Sequence, residues 1–154
     1  PQFYPVAIDY WPEGKAFLVG GYHDGTILAL GTGGAVHDGS FIGRHADGRK
    51  RALRLKVDAA RARLWVLDTE ALYVYALPQR SLLARIALPP LTPTAAACLP
   101  DLTLDPAGAA YVSDNRRPVL YRVDEASLQM RVLTVRFPDA AAPPGGFSAL
   151  LYLE

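Results

Sequence analysis

The chain has 154 residues, enough for one ordinary domain, and carries 16 basic and 15 acidic side chains for a net charge of +1. The charges are spread evenly with no basic stripe, which argues against a nucleic-acid partner, and no uncharged apolar run approaches the roughly 20 residues that a membrane-spanning helix needs. A single cysteine, Cys98, excludes an internal disulfide and a cysteine metal cluster, while the sequence leaves the cellular compartment open.

The dominant pattern is a unit of about 47 residues that occurs three times and begins a fourth time. Each copy opens on a short apolar strand that ends in an aspartate, and these aspartates are Asp9, Asp58 and Asp105. Repeats of this length, filled with short alternating strands, are typical of β-propeller blades of four strands each. We therefore predict an all-β fold in which residues 1–154 form part of a propeller, with blade units at about 4–50, 51–97 and 98–146 and the start of the next at 147–154.

Within each unit the signals follow the same order along the chain. After the aspartate come a turn, a strand with an aromatic residue, a second turn and a third strand. A fourth strand is clear in the second and third units but indistinct in the first, where SFIG near Ser40 is the best match. The aspartates are predicted to accept hydrogen bonds from turn N–H groups two residues further on, which is a structural role. Residues 31–51 and 89–100 are predicted as longer loops.

Three blades and the start of a fourth leave two apolar blade faces without a neighbour, because a blade buries its faces only against adjacent blades. Large exposed apolar faces are unfavourable for a soluble protein. We therefore expect this sequence to be part of a longer chain whose remaining blades close the ring, or a second copy to close it.

The stretch LPDLTLDPAGAAYVSDNRRPVLYRVD, residues 99–124, resembles the regucalcin/gluconolactonase family, in which a strand-turn-strand of the type NDLxxDxxGxxYVTD is followed by YRVD. The motifs FLVGGYHDGTILAL of the first unit and LKVDAARARLWV of the second are similar to other blades of that family. The resemblance implies a six-bladed propeller with a divalent cation such as Ca²⁺ at the mouth of the channel. It also implies hydrolysis of lactones or organophosphate esters in many members, and binding without hydrolysis in others.

The metal ligand of that family falls five residues before the strand-ending aspartate. Transferred to this chain, the ligand positions hold Tyr4, Leu53, Pro100 and, one repeat further, Phe147. None of these side chains offers the carboxylate or amide oxygen that a hard cation requires. A shift of one residue gives Pro5, Arg54, Asp101 and Ser148, which leaves Asp101 as the one candidate metal ligand. We therefore expect the metal site of the family to be missing.

Other polar groups are interpreted as structural. The histidines His23, His37 and His45 each lie close to a glycine in a polar stretch, which favours turns over a zinc site. Asp68 and Asp114 recur at the end of the second strand of their units, and recurrence at matched positions favours a turn role over catalysis. The GTGG at residues 31–34 opens no predicted helix, as a phosphate-binding loop of that kind would.

Two functions are compatible with these residues. The first is a metal-free module that binds a small molecule in the channel, or a partner, through Tyr4, Arg54, Asp101 and Phe147. The alternative is a metal-dependent lactone or ester hydrolase, in which Asp101 helps to hold a divalent cation such as Ca²⁺ that polarises the carbonyl and activates water. We favour binding, because the residues at the transferred ligand positions are apolar.

Overall fold

The computed structural model describes residues 3–89, 100–114 and 117–135. Within them the chain forms twelve β-strands and two short 3₁₀ turns, Ala46–Gly48 and Ala59–Arg61. The strands in chain order are β1 (Pro5–Trp11), β2 (Ala16–Gly21), β3 (Ile27–Gly31), β4 (Val36–Ile42), β5 (Arg54–Asp58), β6 (Arg63–Leu67), β7 (Ala71–Ala76), β8 (Leu82–Ala87), β9 (Leu102–Leu104), β10 (Ala110–Ser113), β11 (Val119–Val123) and β12 (Met130–Thr134). Among these residues, no helix has the length and apolar character needed to cross a lipid bilayer.

The strands form three four-stranded antiparallel sheets, each made of four consecutive strands that pair in chain order. Sheet 1 is β1–β4, sheet 2 is β5–β8 and sheet 3 is β9–β12. The chain divides into two compact units, Pro1–Ala87 with sheets 1 and 2, and Leu88–Glu154 with sheet 3. The all-β fold and the four-stranded sheets predicted from the repeat are confirmed, while the number of blades in a complete ring stays a prediction.

Sheets 1 and 2 share a hydrophobic core. Alternate residues of each strand point to opposite faces, so that one face of each sheet can be apolar and buried. Leu18 and Ile27 of sheet 1 are fully buried, as are Leu64 and Val66 of sheet 2. The same cluster includes Ala7, Ala16, Ala29, Phe41, Ile42, Ala52, Leu55, Ala71, Tyr73, Tyr75 and Leu77.

The pairing register corrects one part of the sequence prediction, the equivalence of Asp9 with Asp58. Trp11 lies opposite the first residue of β2, as Asp58 lies opposite the first residue of β6. Trp11 is therefore the counterpart of Asp58, because β1 continues for two residues beyond Asp9 before its turn. The Asp9 carboxylate instead accepts a hydrogen bond of 2.7 Å from the backbone N–H of Val57, and this bond ties β1 to β5.

The other two aspartates have the predicted structural role. The Oδ1 atom of Asp58 accepts a hydrogen bond from the N–H of Arg61 at 3.2 Å, and that of Asp105 accepts one from Ala109 at 2.9 Å. The donors lie three and four residues further on rather than the two expected, since a 3₁₀ turn or a wider turn follows each strand. Both carboxylates therefore hold the turn that reverses the chain.

The segment 31–51, predicted as one long loop, contains the outer strand of sheet 1. Strand β4 begins at Val36, earlier than the SFIG motif indicated, and it places His37 in a strand rather than a turn. The pattern was indistinct because β4 is an edge strand whose first five residues are exposed or half-buried, so few of its side chains need to be apolar. Of the second predicted loop, residues 90–99 lie outside the described residues.

Candidate functional site

The residues proposed as ligand contacts lie at the beginning of the first strand of each sheet. Tyr4 precedes β1 and its side chain is 46% exposed. Arg54 is the first residue of β5 and is half-buried, and Asp101, also half-buried, directly precedes β9. Phe147, the fourth proposed contact, lies outside the described residues.

The pairing register shows which positions of the shifted alignment correspond between the sheets. Arg54 lies opposite Leu67, the last residue of β6, and Asp101 bonds through its main chain to Ser113, the last residue of β10. Arg54 and Asp101 are thus at matched positions of their sheets. In sheet 1 the residue opposite the last residue of β2, Gly21, is Pro5, and a register shift between Pro5 and Ala7 places Ala7 opposite Gly20.

Leu53 and Pro100, which the unshifted alignment placed at ligand positions, are both buried. The Leu53 N–H donates to the carbonyl of Leu67 at 2.8 Å, so this residue extends the pairing of β5 with β6. Both residues fill structural positions in their own units, and neither presents a side chain to a ligand.

Three aromatic side chains and an arginine contact one another at this end of sheet 1, and we call Tyr4, Tyr22, His23 and Arg51 the edge cluster. The Tyr4 and His23 rings meet edge to face at 4.5 Å between centroids, and Tyr22 approaches His23 at 5.8 Å in the same manner. The Arg51 guanidinium carbon lies 4.6 Å from the centre of the Tyr22 ring, within the range of a cation–π contact. The edge cluster is therefore a continuous aromatic and cationic surface.

Backbone hydrogen bonds place the edge cluster. The Tyr22 N–H donates to the Tyr4 carbonyl at 2.9 Å, and the Ala52 N–H donates to the Gly21 carbonyl at 3.0 Å. The segment leading into β5 thereby lies against the end of β2. Gly20 makes this approach possible, since a Cβ atom there would lie 2.8 Å from both the Cβ and the carbonyl oxygen of Ala52.

A buried arginine, Arg49, connects the turn next to the edge cluster with sheet 2. Arg49 is 0% exposed, and its Nε and Nη2 atoms donate to the Gly25 carbonyl at 3.0 and 2.6 Å. Its Nη1 atom donates to the hydroxyl of Tyr75, and its guanidinium lies against the rings of Tyr73 and Tyr75. Burial lowers the pKa of Arg49, with a smaller opposing effect from Tyr75. The side chain fixes the turn after His23 to sheet 2.

The histidines do not come together with carboxylates as a metal site. His23, His37 and His45 are all exposed. The ring of His37, on β4, lies close to Gly31 of β3. Within residues 3–89, 100–114 and 117–135, no group of three His, Cys, Asp or Glu side chains could hold a metal ion. Among the described residues, the contacts at the edge cluster are those between aromatic rings and a guanidinium.

The recurring aspartates Asp68 and Asp114 are buried and have structural partners, as predicted. Asp68 accepts hydrogen bonds of 2.7 Å from the N–H groups of Lys50 and Thr69. The Oδ2 atom of Asp114 accepts from the Tyr121 hydroxyl at 2.6 Å and from Nε of Arg117 at 2.8 Å. Burial, and then the bond to Asp114, raises the pKa of Tyr121 to about 12.

Sequence reasoning identified Tyr4 but not its three neighbours in the edge cluster. His23 was interpreted only as a turn residue, and Tyr22 and Arg51 were not singled out. The available signal was the group of three cations at positions 49, 50 and 51 just before β5, together with Arg54 at its first residue. Which of those cations is buried depends on the packing of sheets 1 and 2.

No protein-family model matches the sequence, and no curated protein does either. Solved structures do match. One is a streptogramin B lyase structure, with a TM-score of 0.62 and 13% identity over 88% of this chain and 41% of that chain. Another is a protein of unknown function from Bacteroides caccae, with a TM-score of 0.53 and 18% identity over 84% of this chain and 46% of that chain.

The two likenesses support a β-propeller fold. At 13% and 18% identity they show the fold alone, because the same fold supports unrelated activities. The chain spans less than half of the length of either solved structure.

Proposed function

We propose that this chain is part of a propeller similar to the gluconolactonase-like proteins, and that it binds a small organic molecule without using a metal. The observation that carries the proposal is the edge cluster, which presents exposed rings beside a guanidinium at the end where the first strands of sheets 1 and 2 begin. Ligand sites of propellers and other rigid scaffolds commonly lie on the loops at one end of the strands.

The roles of the proposed contacts follow from their chemistry. Tyr4 supplies an apolar ring face with a hydroxyl at its tip, a combination that suits partly wet binding surfaces. Arg54 supplies a planar guanidinium, and its Nη1 atom donates to the Leu53 carbonyl at 2.7 Å, which orients the group. Asp101 and Phe147 stay proposed contacts from the sequence, Asp101 on the other compact unit and Phe147 outside the described residues.

The test begins with metal-stripped protein. Thermal unfolding after chelation and again with Ca²⁺, Mn²⁺ or Zn²⁺ is expected to give the same midpoint, because a cation that binds only the native state must raise it. A panel of one- and two-ring organic compounds, followed by amide chemical shifts, is expected to perturb residues 22–26 and 51–54. Tyr4→Ala should abolish those perturbations.

Tyr10→Ala is the matched control, since Tyr10 is 39% exposed on β1, the strand that Tyr4 precedes, but packs against Phe17, away from the edge cluster. If it reduces binding as much as Tyr4→Ala does, the proposed location is wrong. A rise of the midpoint with a divalent cation that is lost in Asp101→Ala would overturn the metal-free proposal. That result would favour the lactone or ester hydrolase instead.

A further inference from the structure

We propose that the ligand of the edge cluster is a planar aromatic anion, whose carboxylate or similar group is bound by Arg51. This inference rests on the proposed function, because it specifies the ligand class of the same site. It goes beyond that function by assigning the anion to Arg51, a residue to which the sequence analysis assigned no role.

The first argument is the state of the Arg51 side chain. Its guanidinium carbon lies over the Tyr22 ring at 4.6 Å from the ring centre, and within the described residues the side chain makes no hydrogen bond or ion pair. Stacking on a ring leaves the N–H groups of a guanidinium directed outward in its own plane, where they form a fork that fits a carboxylate. Arg51 is half-buried, so part of its side chain stays accessible to a ligand.

The second argument is the local charge. Arg49 is buried two residues before Arg51 and makes no ion pair within the described residues, and its positive charge, partly offset by Asp47 and Asp68, adds to the field there. Lys50 is paired with Glu70 at 3.4 Å. Asp24 is the residue after His23, and its Oδ1 atom accepts a hydrogen bond of 3.0 Å from the Thr26 N–H. This bond lowers the pKa of the Asp24 carboxyl.

The third argument is the shape of the surface beside the guanidinium. The rings of Tyr4 and Tyr22 both meet His23 nearly at right angles, with interplanar angles of 82° and 77°. Aromatic edges and faces in this arrangement suit a flat apolar body better than a flexible chain, since offset and edge-to-face contacts are the favoured aromatic geometries. An anion with an attached ring could bind the Arg51 guanidinium through its charged group and pack its ring against Tyr4, Tyr22 and His23 at the same time.

The experiment compares three probes on the whole chain by isothermal titration calorimetry and amide chemical shifts. They are 2-naphthoate, its neutral analogue 2-naphthamide, and inorganic phosphate, an anion without a ring. We expect 2-naphthoate to bind at least about tenfold more tightly than either of the others, as a charge-assisted bidentate pair would provide. The shifts should involve residues 22–26 and 51–52.

Two variants assign the effect. Arg51→Gln should weaken 2-naphthoate at least about tenfold and leave 2-naphthamide unchanged, because it removes the charge and keeps most of the side chain. Arg131→Gln is the matched control, since Arg131 is an exposed arginine of β12, and it should change neither. Thermal unfolding of each variant verifies that it is folded.

The outcomes separate the two proposals. If 2-naphthamide binds as tightly as 2-naphthoate at the edge cluster, and Tyr4→Ala weakens both while Arg51→Gln weakens neither, the binding site stands and the anion inference is wrong. If no probe perturbs residues 22–26 or 51–52, both the site and its ligand class are wrong. Equal loss of 2-naphthoate binding in Arg131→Gln also overturns the assignment to Arg51.

Discussion

Arg49 and Arg51 are two residues apart and have opposite environments. Arg49 is fully buried and donates to the Gly25 carbonyl and the Tyr75 hydroxyl, whereas Arg51 is half-buried and stacks on Tyr22. A buried arginine whose N–H groups have acceptors holds the chain segments that supply them. We assign Arg49 to the stability of unit 1 and Arg51 to ligand binding.

The difference predicts unequal effects of the same substitution. Arg49→Met should lower the free energy of unfolding by about 2–4 kcal/mol, because it leaves the Gly25 carbonyl and the Tyr75 hydroxyl buried without their donor. Arg51→Met should lower it by less than about 0.5 kcal/mol, as expected of a side chain that is not fully buried and makes no hydrogen bond or ion pair within the described residues. Urea unfolding followed by tryptophan fluorescence measures both, and equal losses would contradict the assignment.

Tyr121 predicts a dependence of stability on alkaline pH. Burial and the bond to Asp114 raise its pKa to about 12 in the folded chain, above the value of about 10 for an exposed phenol. The folded state therefore favours the protonated phenol, so this contribution to stability is complete below pH 10 and is lost as the pH rises from about 10 to 12.

Urea unfolding of the chain and of Tyr121→Phe at several pH values between about 8 and 12 isolates this residue, since the other tyrosines titrate in both. The difference in unfolding free energy between the two chains should be constant below about pH 9 and shrink as the pH approaches 12. A difference that stays constant over the whole interval would show that Tyr121 is not perturbed.

Between the elements, the approach of sheets 1 and 2 depends on small residues. Gly20 of β2 lies next to Ala52, at a place where both the side chain and the carbonyl of Ala52 are too close for a Cβ. The same contact sets the segment 51–52 against Tyr22 and so shapes the edge cluster. The distance between β2 and the segment that leads into β5 therefore affects the geometry of the edge cluster.

Gly20→Ala should therefore lower the free energy of unfolding by about 1–3 kcal/mol, as overpacking of a filled core does. Because the segment that carries Arg51 must shift, the substitution should also weaken 2-naphthoate. Gly33→Ala is the control, since a Cβ at Gly33 meets no atom within 4 Å and should change the unfolding free energy by less than about 0.5 kcal/mol. Equal effects of the two would refute the steric argument.

At the scale of the molecule, sheet 1 has a second apolar face, on which the side chains of β1 stay exposed. Ile8 and Tyr10 of β1 lie on it, opposite Val19 and Phe17, and Ile8 is 61% exposed. By register, Ile8 matches Leu55 of sheet 2, which is only 3% exposed in the core shared with sheet 1. Sheet 1 thus carries residues suited to packing against a further sheet, as the repeat predicted.

The matched pair gives a direct comparison of buried and exposed positions in the same register. Leu55→Ala should lower the free energy of unfolding of this chain by about 2–4 kcal/mol, because a cavity remains in the core. Ile8→Ala should lower it by less than about 1 kcal/mol, since most of the side chain is already in water. Equal losses, measured by urea unfolding, would mean that Ile8 is buried in solution.

The repeat predicted the twelve strands closely because alternation of apolar and polar residues is a local consequence of the pleat. The outer strand β4 was the exception, since an edge strand is under little demand for apolar side chains. The candidate site was predicted only in part. Tyr4, Arg54 and Asp101 follow from counting along a strand, and such a count cannot show that β1 runs two residues beyond Asp9 or that its register shifts between Pro5 and Ala7.

The sequence by itself determined the all-β class, the four-stranded units and the turn role of Asp58 and Asp105, because each depends on residues close in the chain. Only the tertiary structure decided that Asp9 bonds to Val57, that Arg49 is buried and that Tyr4, Tyr22, His23 and Arg51 meet. These contacts join residues that are distant in the chain, and they depend on how closely two sheets pack, a quantity that no local pattern of residues specifies.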